Sequence, residues 1–373
     1  MRVLEKFYPS KKNDPITITH FEQSMKRFHH CDNKKDASQI KKEIRACKKY
    51  WKCYPYHYYI HDLFRKDKPL SEEELVNFIP HYYYYYLFLP HYAPAPKFSL
   101  IADNKLFTDQ IFRALNIAKP ETICSLYNGA LYTPDMHPCS FGDIIQHLSG
   151  NEYEKIFVKP AEGSGGKGIQ IFHRTEDGHY ETRQKQRFDN PFLATIGKKS
   201  DYVIEPGIVQ DGEMSKIFSL SVNTCRIITE NRNGKVRLVC AILRMGQGQN
   251  EVDNISSGGI CTNIDITSGK FGDFAISYNG EKITTHPDTQ YAFSHQGISR
   301  WNEIVFYLTE SAGKLPFFTY VGWDIALTRD GPVTIEINKS PAIDIMEDTS
   351  WGLREAFGID DPDYYWKNPG NRM

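Results

Sequence analysis

Residues 155–172, KIFVKPAEGSGGKGIQIF, constrain this chain more than any other stretch. The apolar run Ile156-Phe157-Val158 stops at Lys159-Pro160. Gly163, Ser164, Gly165, Gly166 and Gly168 follow, with Lys167 among them, and the chain resumes as Ile169-Gln170-Ile171-Phe172. Apolar runs on both sides predict strand, loop, strand. A loop this rich in glycine lets backbone N–H groups approach an anion with no Cβ in the way. With a lysine just ahead of it, the loop is suited to covering phosphates. Three familiar phosphate loops fit it badly. Gly163, Gly165 and Gly168 match G-x-G-x-x-G, but a dinucleotide loop opens a helix, and the residues after Gly168 have strand character. The P-loop needs Lys-Ser/Thr after its last glycine, where Ile169 stands. A protein-kinase loop has its lysine downstream and HRD and DFG motifs later, which this sequence lacks. A plain glycine hairpin is the competing reading, so the rest of the chain decides.

The chain is 373 residues long, enough for two or three packed units. A hydrophobic content of 40% and a net charge of -1 predict a globular core and argue against a nucleic-acid binder. No apolar run approaches the roughly 20 residues of a membrane span. The opening MRVLEKFYPSKK lacks the apolar segment of a signal peptide. The eight cysteines form no C-x-x-C pair, and His137-Pro-Cys139 makes no zinc motif. They read as reduced thiols of a cytoplasmic protein.

Residues 1–95 are expected to form a mainly helical region. Residues 21–28 are amphipathic; residues 38–52 are strongly basic and carry Ile40, Ile44, Cys47 and Trp51 near helical spacing. Ser71-Glu-Glu-Glu74 is a capping box. The basic helix reads as a solvated surface, with peripheral membrane contact the weaker alternative. The five tyrosines of residues 82–86 read as an aromatic wall packed between subdomains in preference to a platform for sugar rings. His91-Tyr-Ala-Pro-Ala-Pro96 marks a boundary. Two further subdomains are expected over 96–200 and 201–373.

A helix from Asp103 carries Leu106, Phe107, Ile111, Phe112 and Leu115 on one face. Lys105 sits in its first turn, unfavourable for the helix dipole unless an anion lies nearby. Ser140 caps a short helix. Tyr202-Val-Ile-Glu205 is a strand ending at Pro206-Gly207. Two more strands flank the turn Asn233-Gly234, which puts Arg226 and Arg244 on neighbours. Residues 252–259 form a polar glycine loop, and a helix spans 299–313.

The last informative stretch is a hairpin around Asp330-Gly331. With a two-residue turn, Glu336 would face away from Asp324. With a three-residue turn, Gly331 would form a bulge, Thr328 would pair with Pro332, and Asp324 would lie opposite Glu336. Asn338 shares that face. Asp324, Glu336 and Asn338 then gather hard oxygen ligands suited to Mg²⁺. Without a cation the carboxylates would repel, unless a Lys or Arg neutralises them.

In chain order, Lys105, Val158-Lys159-Pro160, Ile204-Glu205, Asn223-Thr-Cys-Arg226, Gly322-Trp-Asp324 and Ile335-Glu336-Ile337-Asn338 resemble the motifs of ATP-grasp enzymes. Their wording is most similar to the sugar-transfer-associated ATP-grasp family, found among polysaccharide-biosynthesis proteins. Val252-Asp-Asn254, Gly258-Gly259 and His286-Pro-Asp288 resemble its signatures too, and the resemblance covers about residues 100–345. It implies an α+β ATP-grasp fold, two subdomains clasping ATP, behind the N-terminal helical region. It further implies that Lys105 and Lys159 contact ATP phosphates beneath the Gly163–Gly168 loop. Glu205 and the backbone through Ile208 would hold adenine, and Asp211 or Glu213 the ribose. Asp324, Glu336 and Asn338 would bind Mg²⁺, and Arg226 and Arg244 would stabilise the transferring phosphoryl group. The hinge departs from the family pattern at Pro206-Gly207.

The implied activity is ADP-forming ligation of a carboxylate to an amine through an acyl phosphate, on a sugar acid or amino acid in polysaccharide biosynthesis. A kinase using the same ATP site with a hydroxyl acceptor, and a nucleotide-gated glycan-binding module, are the alternatives. Cys225 lies in a strand without a partnered histidine and reads as inert.

Overall fold

The computed structural model describes residues 15–163 and 165–368. They divide into two compact units, one made by residues up to 93 together with those from Ser340 on, the other by Pro94–Lys339.

In the first unit the helix Ala37–Trp51 is capped by Asp36, which accepts from the N–H groups of Ser38 and Gln39. The helix Glu72–Asn77 starts with the expected capping box of Ser71 and Glu74. The tyrosine run is helical, with a π-helical turn over Tyr84–Phe88. Its geometry puts Tyr83 and Tyr84 side by side in the core, both fully buried. Their hydroxyls donate to the carbonyls of Pro362 (2.9 Å) and Pro341 (3.0 Å), and Tyr82 stacks on Tyr86 and Trp366. The tyrosine wall therefore packs on the end of the chain within its own unit, not between the expected subdomains.

The expected C-terminal subdomain ended at 373, but the chain leaves the sheets at Lys339. Counter-charge explains the return. Glu347 and Asp348, on the helix Asp344–Ser350, reach the two ring nitrogens of the buried His61 at 3.3 and 3.0 Å. The N–H of Ile79 donates to Glu347 at 2.7 Å.

The second unit holds two antiparallel sheets. The first contains β1 (Cys124–Tyr127), β2 (Ala130–Tyr132), β3 (Lys155–Pro160), β4 (Gln170–Arg174), β5 (Tyr180–Glu181) and β6 (Tyr202–Pro206), in the order β2-β1-β6-β3-β4-β5. The boundary expected at 200 falls before β6. Val203 and Ile204 are buried on both faces, so this strand sits in the middle of the first sheet, between β1 and β3. Helices Phe141–Asn151 and Asn190–Ile196 cover the sheet with Ile144, Leu148, Phe192 and Leu193.

The second sheet contains β7 (Thr224–Arg232), β8 (Lys235–Met245), β9 (Ile260–Ile264), β10 (Phe271–Ser277), β11 (Lys282–Ile283), β12 (Tyr320–Thr328) and β13 (Gly331–Asn338), in the order β11-β10-β9-β8-β7-β12-β13. Trp301, Ile304 and Leu308 of the helix Trp301–Gly313 pack on it. So do Ile101 and Phe112, from helices Pro96–Asp103 and Lys105–Ala114. These two helices were expected to belong with the first sheet. Their apolar face instead serves the core of the second, so Lys105 stands where the two sheets meet: its own N–H donates to Ala161 O, just past β3, at 2.8 Å.

Candidate active site

The glycine stretch joins β3 to β4, which pair antiparallel from Lys155↔His173 to Val158↔Gln170. Strand, loop, strand is therefore what the residues form. Gly166 has φ +71°, which strains any side chain, and a Cβ there would lie 2.6 Å from Asn254 Nδ2 and push that amide aside. Asn254 belongs to the loop between β8 and β9. His286 shares a hydrogen bond with Gly246 O (2.9 Å) and Asp288 accepts from Gly248 N (2.8 Å), pinning the start of that loop. Ser164 lies outside the described residues.

A cavity of about 30 Å³ lies beneath the glycine loop, lined by Lys105, Gly163, Gly166, Lys167 and Glu336 among others. Lys105 Nζ donates to Gly163 O at 3.1 Å. Burial lowers the Lys105 pKa, opposed by the nearby Glu336. The structure thus gathers Lys105, the loop and Glu336, all candidates from the sequence, around a single space.

Asp324 opposes Glu336, as the Mg²⁺ reading requires, but by another route than expected. The turn has two residues, with Thr328 paired to Gly331 rather than Pro332. The extra residue is Ile335, in a bulge between the pairs Asp324↔Glu336 and Ile325↔Thr334. Without that bulge Glu336 would oppose Trp323, whose indole fills the core. Asn338 follows two residues on, opposite Gly322.

Asp324 is also opposite Arg226 on β7, and the two form a bidentate ion pair through Nε and Nη2. Arg244 approaches the same carboxylate at 3.4 Å. Burial alone would raise the Asp324 pKa; Arg226 and Arg244 outweigh it and hold the group below the ordinary range. Glu336 goes the other way, raised by burial and by the Asp324 charge. The carboxylates are therefore neutralised unequally: Asp324 by arginine, Glu336 incompletely.

Among the described residues no three His, Cys, Asp or Glu side chains gather to hold a metal ion. A cation here would rest on Glu336, the Asn338 amide and the shared edge of Asp324. That set fits Mg²⁺, which takes one or two carboxylates and completes its shell with phosphate oxygens and water. One observation favours the fit: burial and the Asp324 charge raise the Glu336 pKa, and a cation would offset both.

Arg244 is fully engaged on its inner side. Its guanidinium donates to Asp253 from Nε (3.3 Å) and Nη2 (3.2 Å), and to Thr224 Oγ1 (3.1 Å). Asp253 also accepts from the N–H and hydroxyl of Thr224. Asp253 stands in a stretch singled out from sequence but given no role there.

Lys159 lies 2.5 Å from Glu205 Oε2, and Lys119 lies 3.3 Å from Glu205 Oε1. Burial would raise the Glu205 pKa, but the two lysines lower it. Both oxygens are thus engaged by lysines, and the Glu205 side chain holds Lys159. Gly207 donates to Lys155 O at 2.8 Å, and a Cβ there would sit 2.6 Å from Lys155 Cγ, which accounts for the Pro206-Gly207 departure. Ile208 is half-buried in the crossover to the second sheet, where Gln210 bridges Thr328. Asp211 caps the helix Gly212–Ile217, accepting from Glu213 N, and pairs with Arg300 at 3.2 Å. Glu213 accepts from Ser299. Each carboxylate thus already has partners within the protein. Cys225 is buried, and its thiol is pushed up to about 12 chiefly by desolvation, so it is inert as expected.

A family model described as sugar-transfer associated ATP-grasp matches residues 87–355. No curated protein matches the chain. Among solved structures, D-alanyl-alanine synthetase A from Vibrio cholerae is similar at 12% identity and TM-score 0.42, over 74% of this chain and 68% of that one. D-alanine–D-alanine ligase from Bacillus anthracis is similar at 14% identity and TM-score 0.40, over 74% and 71%. The biotin carboxylase domain of the 2-oxoglutarate carboxylase of Hydrogenobacter thermophilus shows 12% identity and TM-score 0.39, over 72% of this chain; the match spans less than half of that chain, 48%.

Proposed function

Because this chain belongs to the sugar-transfer associated ATP-grasp family, we propose that it joins a carboxylate to an amine at the expense of ATP, releasing ADP. The observation that carries the reading is the single cavity shared by Lys105, the glycine loop and Glu336, with Arg226 and Asp324 paired beside Glu336. Cations and a carboxylate pair around one space are what phosphoryl transfer to an oxygen requires.

The substrate carboxylate attacks the γ-phosphate of ATP, breaking its bond to the β-phosphate and forming an acyl phosphate. The amine then displaces phosphate. Lys105 and Lys159 bind the phosphates, and backbone N–H groups of the glycine loop cover them. About 30 Å³ is little more than room for one water, so the loop lifts to admit a triphosphate and closes to exclude water from the intermediate. Glu336, Asn338 and the edge of Asp324 would hold Mg²⁺, which supplies charge neutralisation on the transferring group. Arg244, braced by Asp253 and Thr224, faces the negative charge that develops there. The carboxylate substrate in this reading is a sugar acid or an amino acid.

The test is ADP release with Mg²⁺ and ATP against a panel of sugar acids and amino acids, with hydroxylamine as a generic nucleophile. Acid-dependent hydroxamate is the expected product. A stable phosphate ester on a hydroxyl compound, with no hydroxamate, would replace the ligase by a kinase.

A further inference from the structure

Lys119 was not a candidate at any point in the sequence, yet its ammonium is among the most completely engaged groups near the site. It donates to Asp109 Oδ1 at 2.6 Å, Thr122 Oγ1 at 2.8 Å and Glu205 Oε1 at 3.3 Å. An ammonium has three protons to donate, so none remains for a ligand. Its side chain is only 11% exposed, and its partners Asp109, Thr122 and Glu205 are buried. Lys119 therefore acts only through the groups it holds.

Those groups lie on different elements of the site. Asp109 is on the helix Lys105–Ala114, one turn beyond Lys105 and on the same face. Glu205 is on β6, and its other oxygen takes Lys159 of β3 at 2.5 Å. One buried ammonium thus ties the helix carrying Lys105 to the strands carrying Lys159. Thr122 closes the link, donating to Asp109 Oδ1 at 2.7 Å while accepting from Lys119.

We propose that Lys119 is a positioning residue that sets the spacing of Lys105 and Lys159 and keeps the Lys159 charge available to a phosphate; the inference rests on reading this site as a nucleotide site. Two effects follow from the geometry. With Lys119 in place, Glu205 is shared between two cations and cannot turn away from β3. Without it, Asp109 and Glu205 become buried carboxylates lacking a common counter-ion, and Lys159 is drawn into a one-to-one pair with Glu205. The Lys159 ammonium is then spent on the protein rather than on the ligand.

The experiment measures binding of Mg·ATP and of adenosine to the full chain by calorimetry, for the wild type and for Lys119→Met, Lys119→Arg and Thr122→Val. Lys119→Met is expected to weaken ATP binding by about tenfold or more while adenosine changes less than about twofold, and Lys119→Arg is expected to recover most of the loss. The adenosine arm separates a phosphate-directed effect from a general structural one. Equal weakening of both ligands by Lys119→Met, or ATP binding as tight as in the wild type, overturns the proposal. If Lys119→Met does not fold, Thr122→Val decides: it removes one hydroxyl, and a several-fold loss confined to ATP supports the link, whereas unchanged ATP binding overturns it. A wild type that binds no ATP removes the nucleotide reading and this inference together. A wild type that binds, with variants that bind equally well, removes this inference alone.

Discussion

Glu336 and Asp324 face each other across one rung of a hairpin, yet their removal should have opposite consequences. Glu336 is poorly compensated, and its raised pKa marks repulsion by Asp324. Glu336→Ala is expected to abolish nucleotide turnover while the melting temperature holds or rises slightly. Asp324→Ala would leave Arg226 and Arg244 without their shared buried partner, at a cost of about 3–5 kcal/mol. Thermal melts of the two variants, compared with ADP release, separate a ligand of the reaction from a keystone of the fold. Normal turnover by Glu336→Ala would remove the metal assignment. At Gly166 the positive φ strains any side chain, and a Cβ would displace the Asn254 amide. Gly166→Ala is expected to cut turnover by about tenfold or more through displacement of the loop or of Asn254, read as a drop in kcat/KM for ATP.

Among elements, the helix Asp344–Ser350 is fastened by titratable groups, so its docking in the first unit depends on pH. His61 is raised from 6.5 to about 10 by Asp348 and Glu347, against the opposing effect of burial. Burial raises Glu347 from 4.5 to about 7, with His61 opposing. In both cases the folded state binds the proton more tightly than the unfolded chain. The Glu347 contribution therefore falls as pH rises from 4.5 to 7, and the His61 contribution is whole below 6.5 and lost as pH climbs to 10. The slope is at most about 1.4 kcal/mol per pH unit for each proton. Asp348 is lowered, so its share is lost only in acid. The stability of this unit is expected to decline between pH 6.5 and 10. His61→Gln should flatten that decline in urea melts followed by tyrosine fluorescence; an equally steep decline in the variant would show that the clasp is not its source.

The same elements show what a sequence discloses. The glycine hairpin, the capping box at Ser71, the cap at Ser140, the Asn233-Gly234 turn and the α+β plan were legible because each is set by local chemistry. So was the opposition of Asp324 and Glu336, although its cause was placed at the wrong residue. A bulge at Gly331 has a turn signal, whereas Ile335 looks like any strand residue and is displaced only by what packs on both sides of it. Lys119 had no signal, because its three partners are separated by up to 86 positions and meet only in the folded chain. Glu205 and Asp211 were found as polar residues at the right places, but their commitments to lysines, a helix cap and Arg300 are tertiary facts.

For the whole molecule, the two cores predict separable behaviour. The unit Pro94–Lys339 contains both sheets and the candidate site, with their own hydrophobic clusters. A chain stopped after Lys339 is expected to keep that unit folded and nucleotide-competent. Its N-terminal helices would lose the partners of His61, Tyr83 and Tyr84 and expose apolar surface. Enhanced dye binding and proteolysis confined to residues before 93 would match this; a collapse of ATP binding would show that the cores are interdependent.

The return of the chain at Ser340 also has a consequence for its birth on the ribosome. The helices up to residue 93 are completed by residues from Ser340 on, made later, after roughly 250 intervening positions. At ordinary rates of elongation they wait on the order of ten to fifty seconds for the Pro341 and Pro362 carbonyls that Tyr84 and Tyr83 bond in the finished fold. The sheets in between can fold as they emerge. The nascent chain therefore acquires the unit with the candidate site before the helices that precede it have a finished structure, and the interval is one in which a chaperone has something to hold.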